Sequence, residues 1–392
     1  MKRFCLNVWL CLSLWAMASC VEEYELPETA NGEGLLVVDG GMNVEEGTAQ
    51  VKLTRSQSLA DKTPPKPETG ANVWIEYGQG AKINLTGNSS GMYSANGLSL
   101  DYGTKYKLRI KTKVGKEYAS TEVSTVKTPP IDEITWDVEG ENVNIRVTTH
   151  DPTNAARYYR WEFEDTYEYS VPYFTRYILD ENGKLKVRTE SDSTYQNCWK
   201  YGASSNILVG STTQLENAVV NKVRIATING NSQKLSMRYS MLVKQHAISR
   251  EEHQYWQILR KNTEEVGSLF DAQPSEIKGN VSNLNDPNEP VLGYFSVRSV
   301  TTKRFFLSKA QLAQWNFRFQ KDCPFIKVPI SADGVIDSGF LYSFVHARYV
   351  VVDWKDEFED NPAKAPNNPW MLSFSCSDCR EMGGTGKKPA FW

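Results

Sequence analysis

A period of two governs what this chain can fold into. From Gly34 onward apolar side chains recur at alternate positions in short runs, as with Val51 and Leu53 in AQVKLTRS and Val73, Ile75 and Tyr77 in ANVWIEY. GLLVVDGG precedes these runs, and AKINLTG, GMYSAN, TKYKLRIKTK and KEYASTEVSTV follow them. Successive side chains of a strand point to opposite faces, so this period lays one face on a core and leaves the other to water. Short alternating runs broken by Gly, Asn and Pro at roughly eight to twelve residues predict two packed sheets. The reading is a mainly β chain that opens with an Ig/fibronectin-like β-sandwich domain over residues 34–130. Pro129 and Pro130 close it, because proline cannot donate a ladder hydrogen bond.

The remainder, 131–392, reads as a larger β-rich domain. Ile134, Trp136 and Val138 alternate, then Val143, Ile145 and Val147, with Gly140 marking a hairpin turn between them. Tyr159, Trp161 and Phe163 share a strand face, and Asn229-Gly230-Asn231 marks a further tight turn. VLGYFSVRSV and KRFFLS resume β structure, SKAQLAQW suggests a brief helical turn, and Tyr342, Phe344 and His346 share a parity in a late strand. One amphipathic helix is inserted near 249–266. Ser249 is its N-cap with Glu252 three residues on, the arrangement of a capping box. Tyr255, Trp256, Leu259 and Val266 fall on one face, and Gly267 is a natural stop.

Residues 1–19 set location rather than fold. Lys2 and Arg3 precede the uncharged run FCLNVWLCLSLWAM, and small Ala18 and Ser19 precede Cys20. That is the layout of a secretory signal peptide. The run is too short to cross a hydrocarbon core, which takes roughly 20 residues. The segment resembles the lipobox of bacterial lipoproteins, whose cysteine becomes the lipid-bearing first residue, although Met17 stands where Leu is commoner. An ordinary cleaved signal is the alternative. Lipid on Cys20 implies anchoring, since several acyl chains together make attachment stable. Residues 20–33 read as a flexible tether. Glu22, Glu23 and Glu25 within it resemble the surface-export signal of Bacteroidota lipoproteins. The expected place is the outer membrane, lipid-anchored and facing the cell surface.

Export changes how the composition is read. The formal charge is −3 with no basic run, so no nucleic-acid partner is expected. Of the seven cysteines, Cys5 and Cys11 leave with the leader and Cys20 takes the lipid. Cys198, Cys323, Cys376 and Cys379 remain, an even number that in an exported chain predicts two disulfides. The preferred pairing joins Cys376 and Cys379 to Cys198 and Cys323, in an order the sequence leaves open. The C-x-x-C of 376–379 lacks the second pair of a four-thiolate zinc site and the βαβ setting of a redox pair. His150, His246, His253 and His346 show no metal-ligand spacing. There is no nucleophile elbow, Walker loop or dinucleotide fingerprint. Asp271, Asp286 and Asp353 read as turn or cap residues, and Gly383-Gly384-Thr385-Gly386 as a turn. No catalytic residue, metal or cofactor is expected.

Three stretches carry a family resemblance. They are FDAQPSEIKGNVSNLNDPNEPVLGYFSV, Cys198-Trp199, and the terminal C-x-D-C-R-x-x-G-G-T-x-x-K-P-x-F-W that starts at Cys376. Together they resemble the Bacteroidota lipoprotein family named for the domain of unknown function 4249, over nearly the whole mature chain. The matched positions include Pro274, Gly279, Asn280, Gly293, Tyr294, Phe295 and Pro389. The resemblance implies an outer-membrane lipoprotein, and a TonB-dependent receptor β-barrel as partner, but it transfers no catalytic residue. For the tail a structural role comes first. Cys376 and Cys379 staple it, Asp378 and Arg380 pair with each other or with backbone, and Phe391 and Trp392 bury an end that would otherwise fray. The functional reading makes this tail a docking patch, since Arg and Trp are frequent binding anchors. The expected job is a non-catalytic accessory or ligand-binding partner of a TonB-dependent transporter. The alternatives are a structural or adhesive envelope protein that binds a protein or glycan, and a hydrolase whose site spacing does not reveal.

Overall fold

The computed structural model describes residues 34–58, 61–173, 175, 177–179, 185–187, 189, 195–264, 277–312, 322–327, 339, 349–352 and 370–392. Cys20 and the tether lie outside them, as do Val266, Gly267, Asp271, Pro274, Tyr342, Phe344, His346 and Asp353.

The alternating runs of the first region are strands β1 (Leu36–Asn43), β2 (Thr48–Arg55), β3 (Asn72–Tyr77), β4 (Ala81–Gly87), β5 (Met92–Ala95), β6 (Tyr106–Lys111) and β7 (Glu117–Ser120). They join in the order β1-β2-β5-β4-β3-β6-β7. β4 pairs with both β5 and β3, so the sheet turns back over its own apolar face. Leu36 and Val38 of β1, Val51 and Leu53 of β2, Val73 and Ile75 of β3, and Leu108 and Ile110 of β6 fill the enclosed core. Burial of one such side chain contributes about 1.5–3 kcal/mol.

The second region adds β8 (Ile131–Glu139), β9 (Asn142–Asp151), β10 (Tyr158–Ser170), β11 (Tyr177–Leu179), β12 (Leu185–Val187), β13 (Asn197–Ala203), β14 (Leu208–Ser211), β15 (Ala218–Asn229) and β16 (Arg238–Ala247). β8 and β9 form the expected hairpin, and β15 completes a three-stranded sheet. This sheet faces the sheet of β13, β10 and β16 across a core rich in aromatic rings, among them Tyr159, Trp161, Tyr169 and Tyr239. Rings with polar tips need partners when buried. Trp161 Nε1 donates to Gln245 Oε1 at 2.8 Å, and Tyr239 OH donates to Asp165 Oδ2 at 3.1 Å. The turn at Asn229-Gly230-Asn231 leads from one of these sheets to the other, since β15 pairs with β9 while β16 pairs with β10.

Helix α1 (Arg250–Glu264) follows, then β17 (Val281–Asn283) and the 17-residue β18 (Leu292–Ser308). The Ser249 hydroxyl accepts from the Glu252 N–H at 3.0 Å, which fixes the helix start. β18 unites the molecule. Its first half runs parallel to β1, from Val37↔Leu292 to Asn43↔Arg298, and its second half antiparallel to β16, from Ala247↔Ser299 to Arg238↔Ser308. Phe295 and Val297 therefore enter the first core, and Leu307 enters the second. Gly293 has φ 96°, and a Cβ there would overlap the Val38 carbonyl, so this close approach requires glycine.

This arrangement crosses the 130/131 division expected from the sequence. β17 pairs with β7 and β18 with β1, so residues 281–298 finish the first sandwich after the chain has built most of the second. The runs VLGYFSVRSV and KRFFLS are one strand. At the junction the Thr128 N–H donates to Ser299 Oγ and its hydroxyl to the Ser299 carbonyl, both at 2.7 Å. A small separate sheet, β19 (Ile326–Lys327), β20 (Tyr349–Val352) and β21 (Trp370–Ser373), has the order β19-β21-β20. SKAQLAQW begins as a 3-10 turn at Lys309–Leu312.

Candidate functional site

Alternation gives β10, β16 and β18 a second face, pointing away from the cores. Tyr159, Trp161, Tyr239, Met241 and Leu307 point inward. Arg160, Glu162, Arg238, Lys244, Arg298, Arg304 and Phe306 sit at the opposite parity. The two ends of this outer face are covered differently.

At one end lies α1. Arg160 Nη2 pairs with Glu162 Oε1 at 2.5 Å, and its guanidinium lies 4.0 Å from the Trp256 ring centroid. Glu252, only 1% exposed, accepts from the Trp256 indole at 3.2 Å and stands 3.7 Å from Arg298 Nε. The capping-box glutamate thus serves as a buried counter-ion. Burial lowers the pKa of Arg160, and the neighbouring Arg298 adds to the effect. Glu162 is held at about 2, chiefly by His246, with Arg160 and Arg298 contributing against the effect of burial. His246 Nε2 is 3.6 Å from the carboxylate, beyond a direct hydrogen bond.

At the other end the stapled tail arrives. Cys379 bonds Cys198 and Cys376 bonds Cys323, the order that the sequence left open. Tyr169 OH donates to the Cys379 carbonyl at 2.6 Å. Trp199 and Thr385 exchange two backbone hydrogen bonds of 2.9 Å. Asp378 caps the 3-10 turn Cys379–Met382 and holds Arg380 Nη2 at 2.6 Å, while the Arg380 guanidinium lies 3.4 Å from the Tyr195 ring centroid. Gly384 sits directly against Tyr169 and Cys198, where a Cβ would not fit. The glycine run is therefore a packing segment.

The last two residues depart from the expected burial. Phe391 is 40% exposed, and its ring receives the Arg304 guanidinium at 3.6 Å. The Trp392 indole donates to Glu168 Oε2 at 3.1 Å. Arg238 lies 4.6 Å from the Phe306 ring centroid and 5.3 Å from that of Trp392. The tail is clipped to the outer face by guanidinium–ring contacts, because Tyr239 and Leu307 already fill the core beneath. Beside this clip opens a groove of about 620 Å³. Glu168 and Ser170 from β10, Ser236 and Arg238 at the start of β16, and Ser308 and Lys309 at the end of β18 line it.

The sequence pointed to the tail but not to Arg238, Arg304, Lys309 or Glu168, which complete the surface. Their signal was parity, since Arg238 and Arg304 alternate with core residues. The histidines scatter. His150 Nδ1 lies 2.7 Å from Asp132 Oδ2 on the surface, His246 is buried under α1, and His253 packs on Tyr158 at 5.1 Å. Asp286 accepts from the Asn288 N–H in a turn. Among the described residues no group of three His, Cys, Asp or Glu could hold a metal ion.

The model of a family described as a domain of unknown function, DUF4249, matches residues 21–304. The match stops short of the terminal motif at 376–392. No curated protein matches the chain. Among solved structures, a segment of two fibronectin type-III domains from chicken tenascin is 13% identical, covering 54% of this chain and 90% of that one, with a TM-score of 0.17. The adhesin InvE of Yersinia pseudotuberculosis is 15% identical over 54% of each chain, with a TM-score of 0.16. Scores this low decide nothing about function.

Proposed function

The chain belongs to the DUF4249 family, and on that footing we propose that it is a lipid-anchored, non-catalytic binding protein of the outer membrane, accessory to a TonB-dependent transporter. One observation carries the placement. A basic, then apolar, then small-residue leader ends at Cys20, and Glu22, Glu23 and Glu25 follow at once. Several acyl chains on Cys20 would make attachment stable. The transporter is the partner implied by the lipoprotein resemblance. The binding surface is the tail end of the outer face, where a groove opens among the ends of β10, β16 and β18, beside the tail that Trp392 ties to Glu168.

Immunoprecipitation from outer membranes dissolved in mild detergent tests the partnership. A β-barrel receptor is expected in the precipitate, and its absence would sink the transporter reading in favour of an adhesive or structural role. Cys20→Ala should release the protein from the membrane. Retention of that variant would contradict the anchor.

A further inference from the structure

The groove at the tail end is shaped for a charged, hydroxylated ligand. Sites for apolar ligands are lined mostly by hydrophobic and aromatic side chains. Here Pro172 and Met237 are the apolar lining, and the other positions bear hydroxyl, carboxylate, guanidinium or ammonium groups. Two cations, Arg238 and Lys309, face a single carboxylate, Glu168, which already accepts from the Trp392 indole. Among the described residues neither cation has a carboxylate partner, in a chain whose formal charge is −3.

Arg238 is the most informative group. Its guanidinium lies against the Phe306 and Trp392 rings, 4.6 and 5.3 Å from their centroids. Ring contacts consume no hydrogen-bond donor, and the guanidinium fork matches a carboxylate. Ser170 and Ser308 add hydroxyls along the same walls. The volume of about 620 Å³ falls within the usual range of ligand sites, about 300–1,000 Å³. Walls held by the strand pairs Glu168↔Arg238 and Arg238↔Ser308 need little ordering on binding.

We infer that this groove binds an acidic oligosaccharide, a short chain of uronic acids, with a carboxylate on Arg238 and Lys309 and ring hydroxyls on Ser170, Ser308 and Glu168. The inference rests on reading the tail end as a binding surface and is independent of the membrane partner.

Calorimetric titration of the purified, detergent-extracted protein tests it with three probes. Trigalacturonate should bind. Maltotriose, a neutral trisaccharide, and tricarballylate, which has carboxylates without ring hydroxyls, should each bind at least about tenfold more weakly. Arg238→Ala and Lys309→Ala should each weaken trigalacturonate by about tenfold, and Arg238→Lys, which keeps charge but loses the fork, should fall between. If Arg238→Ala fails to fold, Lys309→Ala keeps the test decisive, because its exposed side chain lies outside the clip. Equal affinity for maltotriose would overturn the acidic requirement, and equal affinity for tricarballylate the carbohydrate requirement. No binding of trigalacturonate would overturn the inference entirely. Failure here leaves co-precipitation with a barrel receptor unaffected, so the two readings fail separately.

Discussion

The two ends of the outer face use arginine for opposite purposes. Under α1, Arg160 and Arg298 meet Glu162 and Glu252 in a covered site. At the tail, Arg238 and Arg304 meet the rings of Phe306, Trp392 and Phe391. A charge taken out of water must be matched inside the protein. The helix end obeys that rule, which makes it a structural clamp between β10, β18 and α1. The tail end leaves its cations to water or to an incoming anion, which suits it for recognition. Opposite outcomes at the two ends are therefore expected when each is disturbed.

The largest effect should come from the staple. Cys198→Ser combined with Cys379→Ser opens a closure spanning 181 residues and should cost about 4 kcal/mol in urea unfolding. Limited proteolysis of that variant should cut near the tail before α1; early cleavage in α1 would show that the two ends are not independent. Next comes Glu252→Ala. It leaves Arg298 without its buried counter-ion beside Arg160 and should cost about 3 kcal/mol in thermal melts. A loss under about 0.5 kcal/mol would mean that the helix end is no clamp.

Acid should distinguish the ends more gently. Glu162 titrates at about 2 in the folded chain against an ordinary 4.5. A lowered folded value gives stability that is complete above the unfolded pKa and lost as pH falls towards the folded one. Melting points should thus drop between about pH 4.5 and 2, and by less in Glu162→Gln. Identical pH profiles for the two proteins would refute that role. The smallest effect belongs to Trp392→Ala, which removes one indole hydrogen bond, the Arg238 contact and surface ring contacts with Phe306 and Phe391, worth about 1 kcal/mol together. Its melting point should barely move. A collapse comparable with Glu252→Ala would make the tail a structural element instead.

Much of this was legible beforehand, and for identifiable reasons. Period-two alternation disclosed the β1 to β9 runs, because a half-buried strand must alternate. Ser249 marked the helix start because its hydroxyl caps a free N–H. The return of 281–298 to the first core was hidden, since Phe295 and Val297 look alike whichever core they enter. The groove was hidden too. Glu168, Arg238 and Lys309 lie far apart in sequence, and only pairing of β10, β16 and β18 assembles them. The exposed Phe391 misled because an aromatic end suggests burial, whereas a guanidinium can hold a ring at the surface.

The contrast between the ends reduces to a parallel titration of trigalacturonate into Arg238→Ala and Glu162→Gln. Arg238→Ala should lose about tenfold in affinity, and Glu162→Gln should bind as the unaltered protein does. Equal losses in both variants, or a loss confined to Glu162→Gln, would contradict the assignment of recognition to the tail end.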